Sequence, residues 1–212
     1  YGIARRINKN GYSFESNWRQ SSLKDSPTLR VGTIYDISPR HSIGVEANLA
    51  GYFPEKERSS VVDTVFYNGA LQGTIESDYN YLNKHKNWNL SANYIARFDT
   101  VGSTFKLLFD YVRTHPHTGG YVEVDHIIPG DAYTYRSNNE SQNDLYSVTG
   151  DFDIRAGDNA RVKTGFKYIF SQVDSWMKYE DLVGDIWVVR PDQTYDMVYD
   201  EHISAAYGRY TY

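Results

Sequence analysis

The sequence predicts an all-β protein: an antiparallel up-and-down meander of long strands, part of a transmembrane β-barrel. Three observations predict it. Long stretches alternate apolar and polar residues with a period of two, which in a strand sends the two kinds of side chain to opposite faces. The alternating arms run about 10–12 residues, where globular strands have roughly 5–6 and a tilted bilayer-crossing strand about 9–11. Tight turns near 8–11, 38–41, 99–103 and 155–159 alternate with longer connections near 21–28, 54–86, 114–143 and 173–196, as outer-membrane barrels segregate short turns from long loops.

The clearest element is the hairpin 87–113. Trp88, Leu90, Ala92, Tyr94, Ala96 and Phe98 share one phase; Asn87, Asn89, Ser91, Asn93 and Arg97 share the other, with Ile95 the exception. The return arm sets Phe105, Leu107, Phe109 and Tyr111 against Lys106 and Asp110, and the turn carries Gly102. In chain order, residues 1–20 read as a hairpin around Asn8–Gly11, and 21–28 as a polar loop. The next hairpin turns at Ser38–His41, with Leu29, Val31, Thr33, Tyr35 and Ile37 on one phase of the first arm and Ile43, Val45, Ala47, Leu49 and Phe53 on one face of the return arm. Residues 54–86 are less regular: PEKERSS reads as a charged loop, while VVDTVFY and LQGTIESDYNYL extend flanking strands or form a small hairpin. A fourth hairpin pairs Tyr146, Val148, Phe152 and Ile154 with Val162, Thr164, Phe166, Tyr168 and Phe170. The last strand, 197–212, places Ile203, Ala205 and Tyr207 on the apolar phase. About nine strands result, in one segment spanning 1–212 without a plug domain.

Arg30, Glu46, Lys106, Asp110, Asp151, Asp153, Lys163 and Lys167 all lie opposite the aromatic phase. That segregation is expected where a lipid-facing Lys or Arg costs about 2–4 kcal/mol at mid-bilayer. Glu201 and Arg209 break the rule near the ends of the last strand.

Composition agrees. Twenty tyrosines suit a bilayer interface, since the ring is apolar and the tip polar. A mean hydropathy of −0.62 and the absence of any long apolar run exclude a transmembrane helix but not a barrel. There is no cysteine, so disulfides and thiolate chemistry are excluded. A net charge of −5 argues against nucleic acid as a partner. The chain opens at Tyr1 in mid-pattern, with no initiator Met or signal peptide; the expectation is a piece of a longer barrel.

Three stretches resemble the outer-membrane β-barrel domain of TonB-dependent receptors. They are Tyr199-Asp200-Glu201-His202-Ile203-Ser204-Ala205-Ala206-Tyr207, the paired strands NWNLSANYIARFDTVGSTFKLLFDY, and the hairpin TLRVGTIYDISPRHSIGVEAN. The resemblance implies a mid-barrel fragment of a receptor in the cell outer membrane that takes up a scarce nutrient (siderophore, glycan, peptide or vitamin). Its implied partners are outer-membrane lipid, the plug domain and remaining strands of the parent receptor, and an inner-membrane energy-coupling complex.

No catalytic constellation or cofactor motif is present, so the expectation is a non-enzyme without cofactors. His115-Pro116-His117, with His126, reads as metal ligands or, preferably, as histidines of a polar loop. Asp151 and Asp153 share a strand face and read as solubilising charges rather than an acid–base pair. Asn89-Leu90-Ser91 and Asn139-Glu140-Ser141 match the glycosylation sequon without meaning in a bacterial barrel. Recognition belongs on the long connections, where Trp176, Tyr179 and Trp187, with His115, His117 and His126, are the candidate ligand-binding residues and no metal is expected. Two other readings stay open: a small stand-alone outer-membrane barrel with a structural or adhesive role, and a soluble all-β binding module with its aromatic face packed inward.

Overall fold

The computed structural model describes residues 2–7, 11–51, 54–99, 102–126, 132–156 and 160–212. They form an eleven-stranded antiparallel sheet with one 3₁₀ turn, Pro191–Gln193. The strands are β1 (Gly2–Ile7), β2 (Tyr12–Leu23), β3 (Thr28–Ser38), β4 (His41–Ala50), β5 (Glu55–Tyr67), β6 (Ala70–Arg97), β7 (Thr104–His126), β8 (Tyr133–Ala156), β9 (Ala160–Val183), β10 (Ile186–Val189) and β11 (Tyr195–Thr211).

Three pairs of strands lie end to end. β5 pairs with the first half of β6 and β4 with the second; β2 and β3 follow β5 and β4; β10 and β11 share β9. The chain therefore makes eight passes: β1, β2–β3, β4–β5, β6, β7, β8, β9 and β10–β11. Proline explains the interruptions. Pro27, Pro54 and Pro191 lie in the three breaks, and proline has no N–H for a ladder. Gly51 is required beside the second break: its φ is +76°, and a Cβ there would fall 2.3 Å from the His85 carbonyl oxygen.

This corrects the expected loops. Glu55–Tyr67 is strand, not the charged loop PEKERSS, and β6 runs unbroken for 28 residues. VVDTVFY and LQGTIESDYNYL do extend flanking strands, joined by a tight turn at Asn68 (φ 49°) and Gly69 (φ 83°), the left-handed pair of a type I′ hairpin. Residues 114–143 and 173–196 are likewise largely strand, continuing β7, β8, β9 and β10. The 21–28 segment is a seam within one pass. Gly11, just before β2, consequently lies at the far end, where its carbonyl accepts from the Asn68 N–H at 2.8 Å, and not with the turns near 38–41 and 98–103. Of the expected turns, residues 8–10, 100–101 and 157–159 lie outside the described residues, as does Phe53 of the second hairpin.

Directly paired residues share a face. One face carries the row Val31–Ala47–Leu90–Tyr111–Tyr146–Phe170, and the row Tyr35–Ile43–Tyr94–Leu107–Gly150–Phe166. The other carries Asp110–Ser147, Lys106–Asp151 and Asp153–Lys163. From Tyr146 to Ile154 the first face of β8 bears no charge, a run of about nine residues that matches one bilayer crossing. Rings flank this band. Trp88, Tyr111, Tyr146 and Phe170 follow one another at 4.9, 4.6 and 6.0 Å at its far end, and Phe105 meets Phe152 at 4.5 Å near the other.

The rings do not close into an interior. Phe166 is 43% exposed, and the buried apolar residues among those described are Val65, Ala96, Val122 and Val124. An apolar face with no protein covering it, bounded by aromatic belts, is a lipid face; the charged face is a lumen face.

The last strand departs from its sequence phase. Ile203, Ala205 and Tyr207 pair with Ile169, Lys167 and Gly165, so they lie on the lumen face. The Tyr207 hydroxyl donates to Asp151, while Tyr168 Oη meets His202 Nδ1 at 2.8 Å on the lipid side. The ladder to β9 overrides local alternation at this sheet edge. The same register places Glu201 opposite Ser171 and Arg209 opposite Lys163, so both charges join the lumen face.

Two outcomes follow. Leu107→Arg, on the lipid face, costs about 2–4 kcal/mol of folding free energy in vesicles, whereas Leu108→Arg, on the lumen face, is near neutral; urea titration checks it. A fluorophore at a cysteine replacing Ser204 is quenched by lipid-borne quenchers and one replacing Ile203 is not; the reverse pattern would shift β11 by one residue.

Candidate functional site

The strands continue beyond the apolar band, and there the two faces exchange polarity. The side that faces lipid in the band becomes charged. Lys84 and Lys86 follow Trp88 on β6, and the row Arg136–Glu180 crosses β8 and β9. Arg136 Nε sits 2.6 Å and Lys178 Nζ 2.8 Å from Glu180, which holds that carboxyl down at about 2. Free of lipid, this side meets water, and charges are its natural cover.

The lumen side becomes aromatic, with Glu57 of β5 paired with Tyr81 and Asp181 of β9 paired with Tyr135. Tyr79 and Tyr81 sit two apart on β6 with centroids 6.2 Å apart; Tyr133 and Tyr135 sit two apart on β8 at 6.1 Å; Tyr135 stacks on Tyr179 of β9 at 4.8 Å and 19°. Val122, 1% exposed, pairs directly with both Tyr79 and Tyr135 and forms the floor between them. The Tyr81 ring lies over Gly120, where a Cβ would come within 2.4 Å of it. Arg190 closes one end. Its guanidinium lies 4.7 Å from the Tyr179 ring centroid and forks onto Asp181, with Nε 2.8 Å from Oδ2. Its backbone is fixed as well: Arg190 N–H donates to Tyr179 O at 2.8 Å, and Thr194 Oγ1 donates to Arg190 O at 3.0 Å.

Burial pushes the Tyr81 phenol up to about 12, with the neighbouring tyrosines adding to it, and raises Tyr135 and Tyr179 also. The phenols are therefore neutral donors and acceptors at physiological pH, not bases.

The expected site residues divide between the faces. Tyr179 belongs to the lumen cluster. Trp176 lies on the outer, charged side, paired with Glu140, and Trp187 lies there beneath Arg136, at 4.4 Å from its guanidinium. His115 and His117 are outward too, and both hold Glu140: His115 Nε2 at 2.5 Å and His117 Nδ1 at 3.7 Å. The His115 contact is the main cause of a lowered Glu140 carboxyl. His126 ends β7, and its side chain lies outside the described residues. No group of three or more metal-ligating side chains is assembled among the described residues. Asp151 and Asp153 face the lumen within the band; Asp151 accepts from Tyr207, and Asp153 is held by Arg161 and by Lys163 at 3.4 Å.

Tyr79, Tyr81, Tyr133, Tyr135 and Arg190 were not legible as a site. The i, i+2 tyrosine pairs put two rings on one face, but only the register between passes brings the pairs together.

The cluster makes a titration prediction. A phenol raised to about 12 stabilises the folded state fully below the ordinary value of 10, and loses that contribution as pH rises to about 12. Alkaline absorbance titration in detergent therefore shows a late-ionising component, and Tyr81→Phe reduces it by one phenol, leaving that of Tyr135 and Tyr179.

The Outer membrane protein beta-barrel family model matches residues 96–212, from the band end of β6 through β11. No curated protein and no solved structure matches the chain. The matched region exceeds half the chain and contains the Tyr111–Tyr146–Phe170 and Phe105–Phe152 rings; the chain belongs to the outer membrane protein beta-barrel family.

Proposed function

We propose that this chain is a wall segment of a TonB-dependent receptor in the outer membrane, which imports a scarce nutrient with energy supplied by an inner-membrane complex. One observation carries the reading. In the bilayer band the sheet consists of β3, β4, β6, β7, β8, β9 and β11, seven strands, and its edge strands β3 and β11 run in the same direction. Neither has a partner on its outer edge among the described residues. Antiparallel closure needs an even number of strands, so the wall requires at least one more, and a lipid-exposed edge with unpaired N–H and C=O groups is not tolerated. Further strands of a larger barrel are the partner that satisfies it.

Two features support transport rather than a solid wall. The lumen face within the band is charged and hydroxylated, as a face turned to water or to a polar plug would be; Arg30–Glu46 at 2.7 Å and Ser91–Asp110 at 2.7 Å line it. Beyond the band the tyrosine cluster faces that same lumen from long hairpins. The outer leaflet lies against the Trp88–Tyr111–Tyr146 belt, and the nutrient enters past Tyr135 and Tyr179. No step of the reading calls for catalysis.

Two measurements test it. Uptake by cells carrying the parent protein collapses when the proton motive force is dissipated; uptake that continues unchanged overturns energy coupling. The isolated chain runs at the same position on SDS gels before and after boiling. A heat-modifiable monomer would mean that the chain closes alone and would favour the small stand-alone barrel.

A further inference from the structure

Beyond the Trp88 belt, every outward cation of β7, β8 and β9 among the described residues is held by a carboxylate. Asp144 holds Arg113, Glu140 holds His115 and His117, and Glu180 holds Arg136 and Lys178. On β5 and β6 the pattern breaks. Lys56, Lys84 and Lys86 are exposed and have no ion pair among the described residues. Lys84 and Lys86 sit two apart on one strand, and Lys56 lies diagonal to Lys84 because it pairs with Leu82. Glu55 and Glu57 flank Lys56 in sequence but face the lumen, paired with Asn83 and Tyr81. No outward position carries a carboxylate from Lys56 to Ser60 or from Asn80 to Trp88. The outward acids of β6 and β7 begin further out with Asp78 and Glu123, which pair with each other and share a depression with Arg19 and Arg58. Water alone does not call for three unbalanced lysines, because neighbouring like charges repel. Their height does. Lys86 and Lys84 lie two and four residues beyond Trp88, roughly 5 and 10 Å above the belt for a tilted strand, and the polar layer of a leaflet is about 5–8 Å thick. Next outward, where Leu82 pairs with Gly119, a depression of about 380 Å³ opens on the same side, lined by Gly119, Tyr121, Asn138 and Trp187 among others.

We propose that this outward surface binds a phosphorylated glycolipid of the outer leaflet, its phosphate held by Lys84 and Lys86 with Lys56 beside them, and its sugars laid in the depression above. The inference rests on the barrel family and on the long hairpins that mark the extracellular end; it does not rest on nutrient uptake. The two halves of the surface select the two halves of the ligand. Ammonium groups at headgroup height with no carboxylate to hold pair with lipid phosphate. A phospholipid would end at that layer. A glycolipid carries sugar rings onward along the wall, to the level of Gly119 and Tyr121. There the Asn138 amide can bond hydroxyls, and Tyr121, 44% exposed, offers a flat apolar face to the C–H side of a sugar. Arg136 lies over the Trp187 ring at 4.4 Å with its charge spent on Glu180, so the depression holds sugar and not a second phosphate. Below the lysines the acyl chains run past Trp88 and Leu90 on the lipid face.

The test uses the full polypeptide that carries these residues, in detergent, titrated with a short-core lipopolysaccharide, the same lipid after phosphatase treatment, and phosphatidylglycerol, with retained lipid read by native mass spectrometry. Saturable retention of the phosphorylated glycolipid is expected, about ten-fold or more tighter than either other lipid, and millimolar inorganic phosphate does not displace it. Lys84→Gln combined with Lys86→Gln weakens that retention about ten-fold or more, and Trp187→Ala weakens it as well. Lys84→Arg combined with Lys86→Arg keeps it, and so does Lys167→Gln on the lumen face. Both outward lysines are exposed, so the glutamine pair keeps the wild-type urea midpoint in lipid-free detergent, which separates lost binding from lost folding. Equal retention of phosphatidylglycerol or of the dephosphorylated glycolipid, displacement by inorganic phosphate, or undiminished retention by the glutamine pair overturns the proposal. None of these results touches energy coupling, which stands or falls on the proton motive force experiment alone.

Discussion

Inside a bilayer no water is at hand to satisfy a backbone N–H or C=O, so each must find its partner on a neighbouring strand. That obligation is the constraint from which the rest of this sheet follows. It makes the ladder continuous across the band from β3 to β11, and a continuous ladder has one register at every junction. Because side chains alternate along each strand, the register alone decides which residues meet lipid and which meet the lumen. Tyr35, Ile43, Tyr94, Leu107 and Phe166 come from five different passes, yet they fall on one row.

The same geometry continues past the membrane without a change of hand or spacing, so the exchange of polarity there is written in side chains only. On β6 the even positions pass from Tyr94, Ala92 and Leu90 to Lys86 and Lys84, while the odd positions pass from Asn93, Ser91 and Asn89 to Tyr81 and Tyr79. What changes is the surroundings. The outer face leaves lipid for water, and charges then cost nothing. The inner face, charged and hydroxylated within the band, becomes tyrosine-rich beyond it. Averaged over 28 residues the two trends cancel, which is why a strand with a fully apolar membrane face contributes to a mean hydropathy of −0.62.

The fold was legible where one face meets lipid, because there alternation is a strict requirement. The phases of 87–98, 105–111, 146–154 and 162–170 translate directly into the rows of the sheet. Legibility ended where that requirement ends. At 55–67 and 114–126 both faces tolerate polar residues, and PEKERSS or THPHTGG therefore looks like loop although the chain is extended and paired. At β11 the alternation of Ile203, Ala205 and Tyr207 is genuine, but only one neighbour holds the strand, and the contacts of Tyr207 and His202 fix the opposite phase. The site was hidden for a third reason. Tyr179 was visible as a loop aromatic, but its partners Tyr135 and Tyr81 lie 44 and 98 residues away in sequence, and no local pattern carries a register that long-range.

A ladder without interruptions has no depressions, and this bears on where the wall can be hollowed. Pro27, the Gly51–Pro54 break and Pro116 all lie at one height, just beyond the Trp88–Tyr111 belt. Gly51 N–H reaches Pro27 O only at 3.4 Å, and the β7–β8 ladder skips His115 and Pro116. Inside the band such gaps would leave backbone groups bare in lipid, and further out they would serve no wall. At this height water reaches the freed groups, so the interruptions are tolerated. The depression holding Asn48 and Asn89 lies at this seam. A seam of this kind relaxes the one constraint that keeps the wall flat, at the one level where relaxing it leaves the membrane seal intact. A membrane wall that must be both sealed and sculpted has few other places to put a depression.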